Sequence, residues 1–266
     1  FCRIRSHPFT TPNPVARKMT IKTGSGGTGH GKEPRPPNWS EITALFGGTF
    51  DPPHLGHRAA VAGLFENPGV ARVHVVPAAS PPLRGFHGGA VCGADERFRL
   101  AQIAFSGMEN VTVDPIELDR AKAQPGTPSY TFDTLTAFAR QSSPLRLAWV
   151  IGADQLEKLP AWHRCPEILG LCHWLVLERK SLKITAGEGL KRLAEAGWGL
   201  KRADENRLWL PKAGTWITVI PTPAPALSAT QIRESIAKTG SPPQNALNAD
   251  VWAELKRRAL YGTSRE

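Results

Sequence analysis

His54 and His57 stand three residues apart in Gly47-Gly48-Thr49-Phe50-Asp51-Pro52-Pro53-His54-Leu55-Gly56-His57. On a helix that spacing puts both imidazoles on one face of the first turn. Imidazoles beside a helix start can neutralise charge on a phosphate during its transfer, a reaction governed by positioning and electrostatics. Two rival readings stand beside it: an ordinary surface pair of histidines, and a metal site made by Asp51, His54 and His57. The surroundings favour phosphate. An apolar run over residues 42–46 predicts a buried strand, Gly47 and Gly48 break it, and a helical pattern runs from about residue 54 toward 64. Glycines let a ligand approach the backbone, and the free amides at a helix start suit an anion. Pro52 and Pro53 fit only before or at a first helical turn, which fixes where the helix begins.

The elements that must hold these residues follow in alternation. Strands are predicted over 70–76, 111–116, 145–151, 173–177 and 216–220. Helices are predicted over 94–105, 130–140, 155–159, 166–171, 190–196 and 249–260, with a hairpin near Leu208. This pattern gives an α/β fold, a Rossmann-like parallel sheet with helices on both faces. The fourth strand ends in Ile151-Gly152-Ala153-Asp154, a second glycine turn with a carboxylate at a helix start. If strands one and four are neighbours where the strand order reverses, both turns face one crevice. Ser129 and Ser228 are natural helix caps, and the second opens a turn that also carries Thr230 and Arg233.

With 266 residues and 41% hydrophobic content the chain can bury a substantial core. No apolar run is long enough to cross a bilayer, and no secretory pattern is present, so a cytoplasmic protein without a membrane partner is expected. Cys2, Cys92, Cys165 and Cys172 lack the close paired spacing of zinc or redox sites. Six of the ten net positive charges fall before Glu33, leaving about four on the rest, which suits nucleotide phosphates and argues against nucleic acid as a partner. Residues 1–40 are basic and rich in Gly and Pro, and are expected to be a disordered leader, with Met19 a plausible start and organelle targeting a weaker option. Gly24-Ser25-Gly26-Gly27-Thr28-Gly29 fits a dinucleotide pattern literally. No strand precedes it and Pro34, Pro36 and Pro37 prevent a following helix, so it reads as linker.

Taken together and in this order, the motifs over residues 42–262 closely resemble the HIGH-type nucleotidyltransferase superfamily, in the variant seen in bacterial nicotinate-nucleotide adenylyltransferases. The resemblance implies a nucleotidyltransferase domain over 41–262 that joins ATP and nicotinate mononucleotide into deamido-NAD and pyrophosphate. Mg2+ would be bound mainly through the ATP phosphates, with no metal-ligating residues in the protein. It implies that His54, His57 and Arg233 act in catalysis and that Gly48, Thr49 and Phe50 contact substrate. Arg84, in Pro81-Pro82-Leu83-Arg84, would lie near the mononucleotide phosphate, with Leu83 where the family usually has histidine. Tyr130 and Thr131 would surround the nicotinate carboxylate, and Gly152 and Asp154 would contact the adenosine ribose. Trp162 would stack on the pyridine ring, His163 standing where tyrosine is more frequent. Ser228, Thr230 and Arg233, in Leu227-Ser228-Ala229-Thr230-Gln231-Ile232-Arg233, would bind the triphosphate, Ala229 replacing a second serine. Competing expectations are transfer to nicotinamide mononucleotide or another phosphate acceptor such as phosphopantetheine, and a nucleotide- or RNA-binding module without catalysis. A homo-oligomer is compatible with the sequence.

The absence of apolar patterning before Trp39 generates the first prediction: deletion of residues 1–36 leaves turnover nearly intact. Loss of most activity in the purified truncated protein would refute it.

Overall fold

Side chains of β1 (Thr43–Gly48) alternate between two cores. Ala44 and Phe46 pack with Leu64, Val73, Val75 and Ile232 on one face, and Leu45 packs with Leu135, Trp149 and Val176 on the other. A strand covered on both sides needs apolar residues at successive positions, which is why it reads as a continuous run. The computed structural model describes residues 35–81, 91–178 and 186–264. The leader as far as residue 34, Arg84 and residues 179–185 lie outside the described residues. Trp39–Glu41 forms one 3-10 turn, with Trp39 packed on the core and its ring 6.0 Å from that of His173.

After β1 come α1 (Leu55–Glu66), β2 (Arg72–Pro77), α2 (Ala94–Phe105), β3 (Val111–Val113), α3 (Ile116–Ala123) and α4 (Thr131–Ala139). Then follow β4 (Leu147–Gly152), α5 (Ala153–Leu156), α6 (Cys165–Ile168), β5 (His173–Glu178) and α7 (Ala186–Glu195). The chain continues through β6 (Lys201–Arg202), β7 (Arg207–Leu210), β8 (Thr215–Pro221), α8 (Ala229–Thr239) and α9 (Ala249–Arg257). The eight-stranded sheet has the order β3-β2-β1-β4-β5-β8-β7-β6. Helices α1, α2, α8 and α9 cover one face, and α4 to α7 the other. The order reverses between β1 and β4, which pair in parallel with Thr43 opposite Leu147. Their glycine-ended turns therefore open on one crevice, at the place where such sheets bind ligands. No helix among the described residues is long and apolar enough to cross a membrane. Cys92, Cys165 and Cys172 are buried free thiols, and burial pushes Cys165 up to about 12.

The structure departs from the sequence reading at several elements. The hairpin expected near Leu208 is present as β6 and β7, and by pairing antiparallel beside β8 it makes the otherwise parallel sheet mixed. The third strand stops at Val113, since the Asp114 carboxylate turns back to accept from the Ile116 amide at 3.0 Å and starts α3, a helix the apolar pattern missed. Ser129 does not cap α4; Tyr130 holds the N-cap position, and the Ser129 hydroxyl accepts from the Ser80 amide at 3.0 Å. Ser228 occupies the N-cap of α8 without a side-chain capping bond. The helix expected over 155–159 begins two residues earlier as α5 and gives way to a 3-10 turn at Leu159–Ala161.

Glu254 ties the terminal helix α9 to α2. Its carboxylate is 8% exposed and accepts from Arg99 Nε at 2.7 Å, Arg257 Nε at 2.7 Å and Arg258 Nε at 2.6 Å. The Arg257 hydrogen bond is the largest of the effects that hold this carboxyl down, from its ordinary 4.5 to about 2. A depressed carboxylate contributes stability that is complete above its unfolded value and lost as pH falls through its folded value. Glu254→Gln should therefore lower the Tm at neutral pH, with wild type and variant converging between pH 4.5 and about 2. A gap independent of pH in thermal melts would refute the assignment.

Candidate active site

His54 is the N-cap of α1, and its bonds to His57 are reciprocal. The His54 amide donates to His57 Nδ1 at 3.1 Å, and the His57 amide donates to His54 Nδ1 at 3.3 Å. This is a capping box built from two imidazoles in place of a hydroxyl and a carboxylate. The rings stack with centroids 3.6 Å apart and planes inclined by 21°. Because each Nδ1 accepts, the ring proton of each neutral imidazole sits on Nε2, so the helix start and the donor orientation are set by the same bonds. Phe50, at φ 52°, is buried beneath them, its ring 5.0 Å from His57. Positive φ is costly for an aromatic residue, and here it drives that ring under the pair.

His57 opens on a cleft of about 650 Å³ at the β1/β4 crevice. Gly48 and Thr49 line one side; Gly152 and Asp154 the other; Tyr130, Thr131 and Trp162 close the far end. Seven of the residues expected from the sequence to contact substrate thus share one cavity. A Cβ on Gly152 would lie 2.5 Å from Asp154 Oδ1, so a side chain there would displace that carboxylate from its present position. Phe50 and His54 lie behind this wall, 2% and 6% exposed. Ser228, Thr230 and Arg233 are not part of its lining. They reach the histidine turn by another route: Arg233 Nη1 donates to the Asp51 carbonyl at 2.6 Å, and Nη2 to Thr230 Oγ1 at 3.2 Å. Gly56 lets this side approach, since a Cβ on it would meet the Pro225 carbonyl oxygen at 3.2 Å.

Several groups at the site went unread in the sequence. Asp51, considered only as a metal ligand, is 1% exposed and commits its carboxylate to the Val91 amide at 2.7 Å, the Cys92 amide at 3.2 Å and the Tyr261 hydroxyl at 2.6 Å. Arg97, also 1% exposed, donates to the carbonyls of Thr49 at 2.8 Å, Ala79 at 2.9 Å and Cys92 at 3.0 Å, tying the glycine turn to the segment after β2. Glu117 sits in the cleft wall, where burial raises its carboxyl and the Thr134 hydroxyl donates to it at 2.7 Å. His163 lines the cleft and stacks on Tyr130, ring centroids 4.3 Å apart. An arginine at an apolar position of the predicted 94–105 helix was the only signal available for Arg97, and Glu117 stood in a helix the pattern did not show. Tyr261 carried none.

Comparison with known proteins agrees with this architecture. The cytidylyltransferase-like family model matches residues 45–235. A probable nicotinate-nucleotide adenylyltransferase of Stenotrophomonas maltophilia is 39% identical over 224 residues, 83% of this chain and 96% of that protein. Its namesake in Dechloromonas aromatica is 35% identical over 226 residues, 85% of this chain and all of that one. The structure of Plasmodium falciparum nicotinic acid mononucleotide adenylyltransferase complexed with NaAD superposes with a TM-score of 0.61 at 14% identity, covering 85% of this chain and 99% of that one, a likeness of fold. The chain belongs to the cytidylyltransferase-like family and, within it, to the nicotinate-nucleotide adenylyltransferases.

Proposed function

We propose that this chain transfers the adenylyl group of ATP to nicotinate mononucleotide in the cytoplasm, giving deamido-NAD and pyrophosphate for NAD biosynthesis. The observation that carries the catalytic reading is the reciprocal pair of amide–imidazole bonds, which leaves both Nε2–H groups as fixed donors at a helix start. The mononucleotide phosphate is already charged at neutral pH and attacks the α-phosphorus of ATP, expelling pyrophosphate. No covalent intermediate or strong base is needed, so the protein's task is alignment and charge neutralisation. His57, with His54 stacked on it, donates to the α-phosphate as charge develops there. Arg233, Ser228 and Thr230 at the start of α8 hold the β and γ phosphates, the guanidinium fork taking two oxygens. Gly152 and Asp154 hold the adenosine ribose; Tyr130, Thr131 and Trp162 receive the nicotinate ring; Arg84 pairs with the mononucleotide phosphate.

Among the described residues no group of three His, Cys, Asp or Glu could hold a metal ion, and Asp51 is occupied by amides and a hydroxyl. Magnesium would arrive as MgATP, held mainly through the phosphates, and would supply further charge neutralisation.

His57→Ala should lower kcat by at least about a hundredfold with little change in fold, the scale seen when a transition-state donor is removed. Near-normal turnover would return the histidines to the surface-pair reading, and activity tracking a stoichiometric zinc ion would favour the metal site. Acceptor choice gives a second prediction. The two candidate acceptors differ by a carboxylate against a neutral amide, and a pocket of hydroxyl and amide donors suits the carboxylate, whose oxygens both accept. The amide would turn donors toward donors, at about 1 to 3 kcal/mol for each unpaired group. The kcat/KM for nicotinate mononucleotide should exceed that for nicotinamide mononucleotide by at least about a hundredfold, and Thr131→Val should narrow the gap. Equal use of both acceptors would overturn the substrate and leave adenylyl transfer standing.

A further inference from the structure

Tyr261 lies 210 residues from Asp51 in the chain, yet its hydroxyl donates to Asp51 Oδ1 at 2.6 Å. The backbone takes an unusual course to deliver it. Ala259 at φ 52° and Tyr261 at φ 57° are both left-handed, a conformation that non-glycine residues adopt at a cost when the surroundings impose it. Burial and the facing Asp51 carboxylate raise the phenol far above its ordinary range, so at any working pH it remains a donor. The carboxylate it meets is shared: the Cys92 amide also donates to Oδ1 and the Val91 amide to Oδ2, and Arg233 Nη1 lies 3.8 Å from Oδ2 while bonding the Asp51 carbonyl at 2.6 Å. The Arg233 side chain is 18% exposed, with Nη1 bonded to the Asp51 carbonyl and Nη2 to Thr230 Oγ1, so two of its five N–H groups are used in holding the guanidinium in place.

We propose that Tyr261 is a positioning residue of the adenylyl-transfer site, acting through Asp51 to hold Arg233 in the orientation that receives the β and γ phosphates. This rests on the reading of Arg233 as a triphosphate ligand. Removing the hydroxyl leaves a buried carboxylate short of one donor, and Arg233, already 3.8 Å from it, turns inward to compensate. The phosphates then lose part of their partner, whereas the Tyr130 and Trp162 end of the cleft is untouched.

The test is Tyr261→Phe, which keeps the ring, alone and combined with Arg233→Gln. KM and inhibition constants are read on the folded fraction, so partial unfolding does not move them. The expected result is a rise of at least about fivefold in the KM for ATP and, in parallel, in the inhibition constant of pyrophosphate, with the KM for nicotinate mononucleotide within twofold. In the Arg233→Gln background Tyr261→Phe should have no further effect on either. If Arg233→Gln weakens both ATP and pyrophosphate while Tyr261→Phe leaves them unchanged, shifts both substrates equally or acts additively, the proposal is overturned and the Arg233 reading stands. If Arg233→Gln itself changes neither, that reading falls and the proposal with it.

Discussion

A carboxylate that is 1% exposed has to be solvated by protein, and at Asp51 this requirement organises the site. Its partners come from three parts of the chain: the amides of Val91 and Cys92, Arg233 on α8 at ion-pair distance, and Tyr261 after α9. None of these is local to the turn. Each has to arrive before the charge is compensated, and their arrival fixes the backbone that leads through Pro52 and Pro53 to the histidine pair. Arg97 complements it from the other side, a buried cation satisfied by carbonyls of Thr49, Ala79 and Cys92. One buried anion and one buried cation, each solvated mainly by main chain, thus define the turn between β1 and α1.

The sheet supplies what the turn cannot. Because β1 and β4 are neighbours at the reversal of strand order, two glycine-ended turns face each other across a single cleft. One presents imidazole donors and the other a carboxylate suited to hydroxyls. The helix face carrying α8 adds the arginine, and the opposite face adds the aromatic end through α4 and the turn before α6. Groups from opposite layers of the sheet are thus held near the ends of the same two strands, and fixed polar groups of this kind are what phosphoryl chemistry rewards.

Local chemistry made much of this legible. A glycine turn after an apolar run, followed by two prolines and His-x-x-His, specifies strand, turn and helix start with little help from elsewhere, and residues 47–57 fold as that pattern implies. The second turn at Gly152 was readable for the same reason. What failed was whatever rests on particular side-chain hydrogen bonds, near or distant, that apolar spacing does not report. Ser129 and Ser228 look like caps, but one is drawn to the Ser80 amide and the other makes no capping bond. Helix α3 was missed because its start depends on a carboxylate folding back two residues, not on apolar spacing. Asp51 was weighed only within the disfavoured metal-site reading, because nothing nearby in sequence announces Tyr261 or the amides that occupy it.

The reach of the contacts at Asp51 bears on how activity appears as the chain folds. Arg233 is 182 residues from it and Tyr261 is 210, so both closures rank among the longest loops the domain can make. Closing such loops costs entropy that is repaid only after the intervening strands and helices have paired, and contacts of this kind form late. A chain with its sheet largely built would already show native helix content and a recognisable cleft while the turn that presents the histidines was still unanchored. Recovery of catalytic power would lag behind recovery of secondary structure, making enzymatic activity a more stringent reporter of complete folding than any spectroscopic signal from the helices.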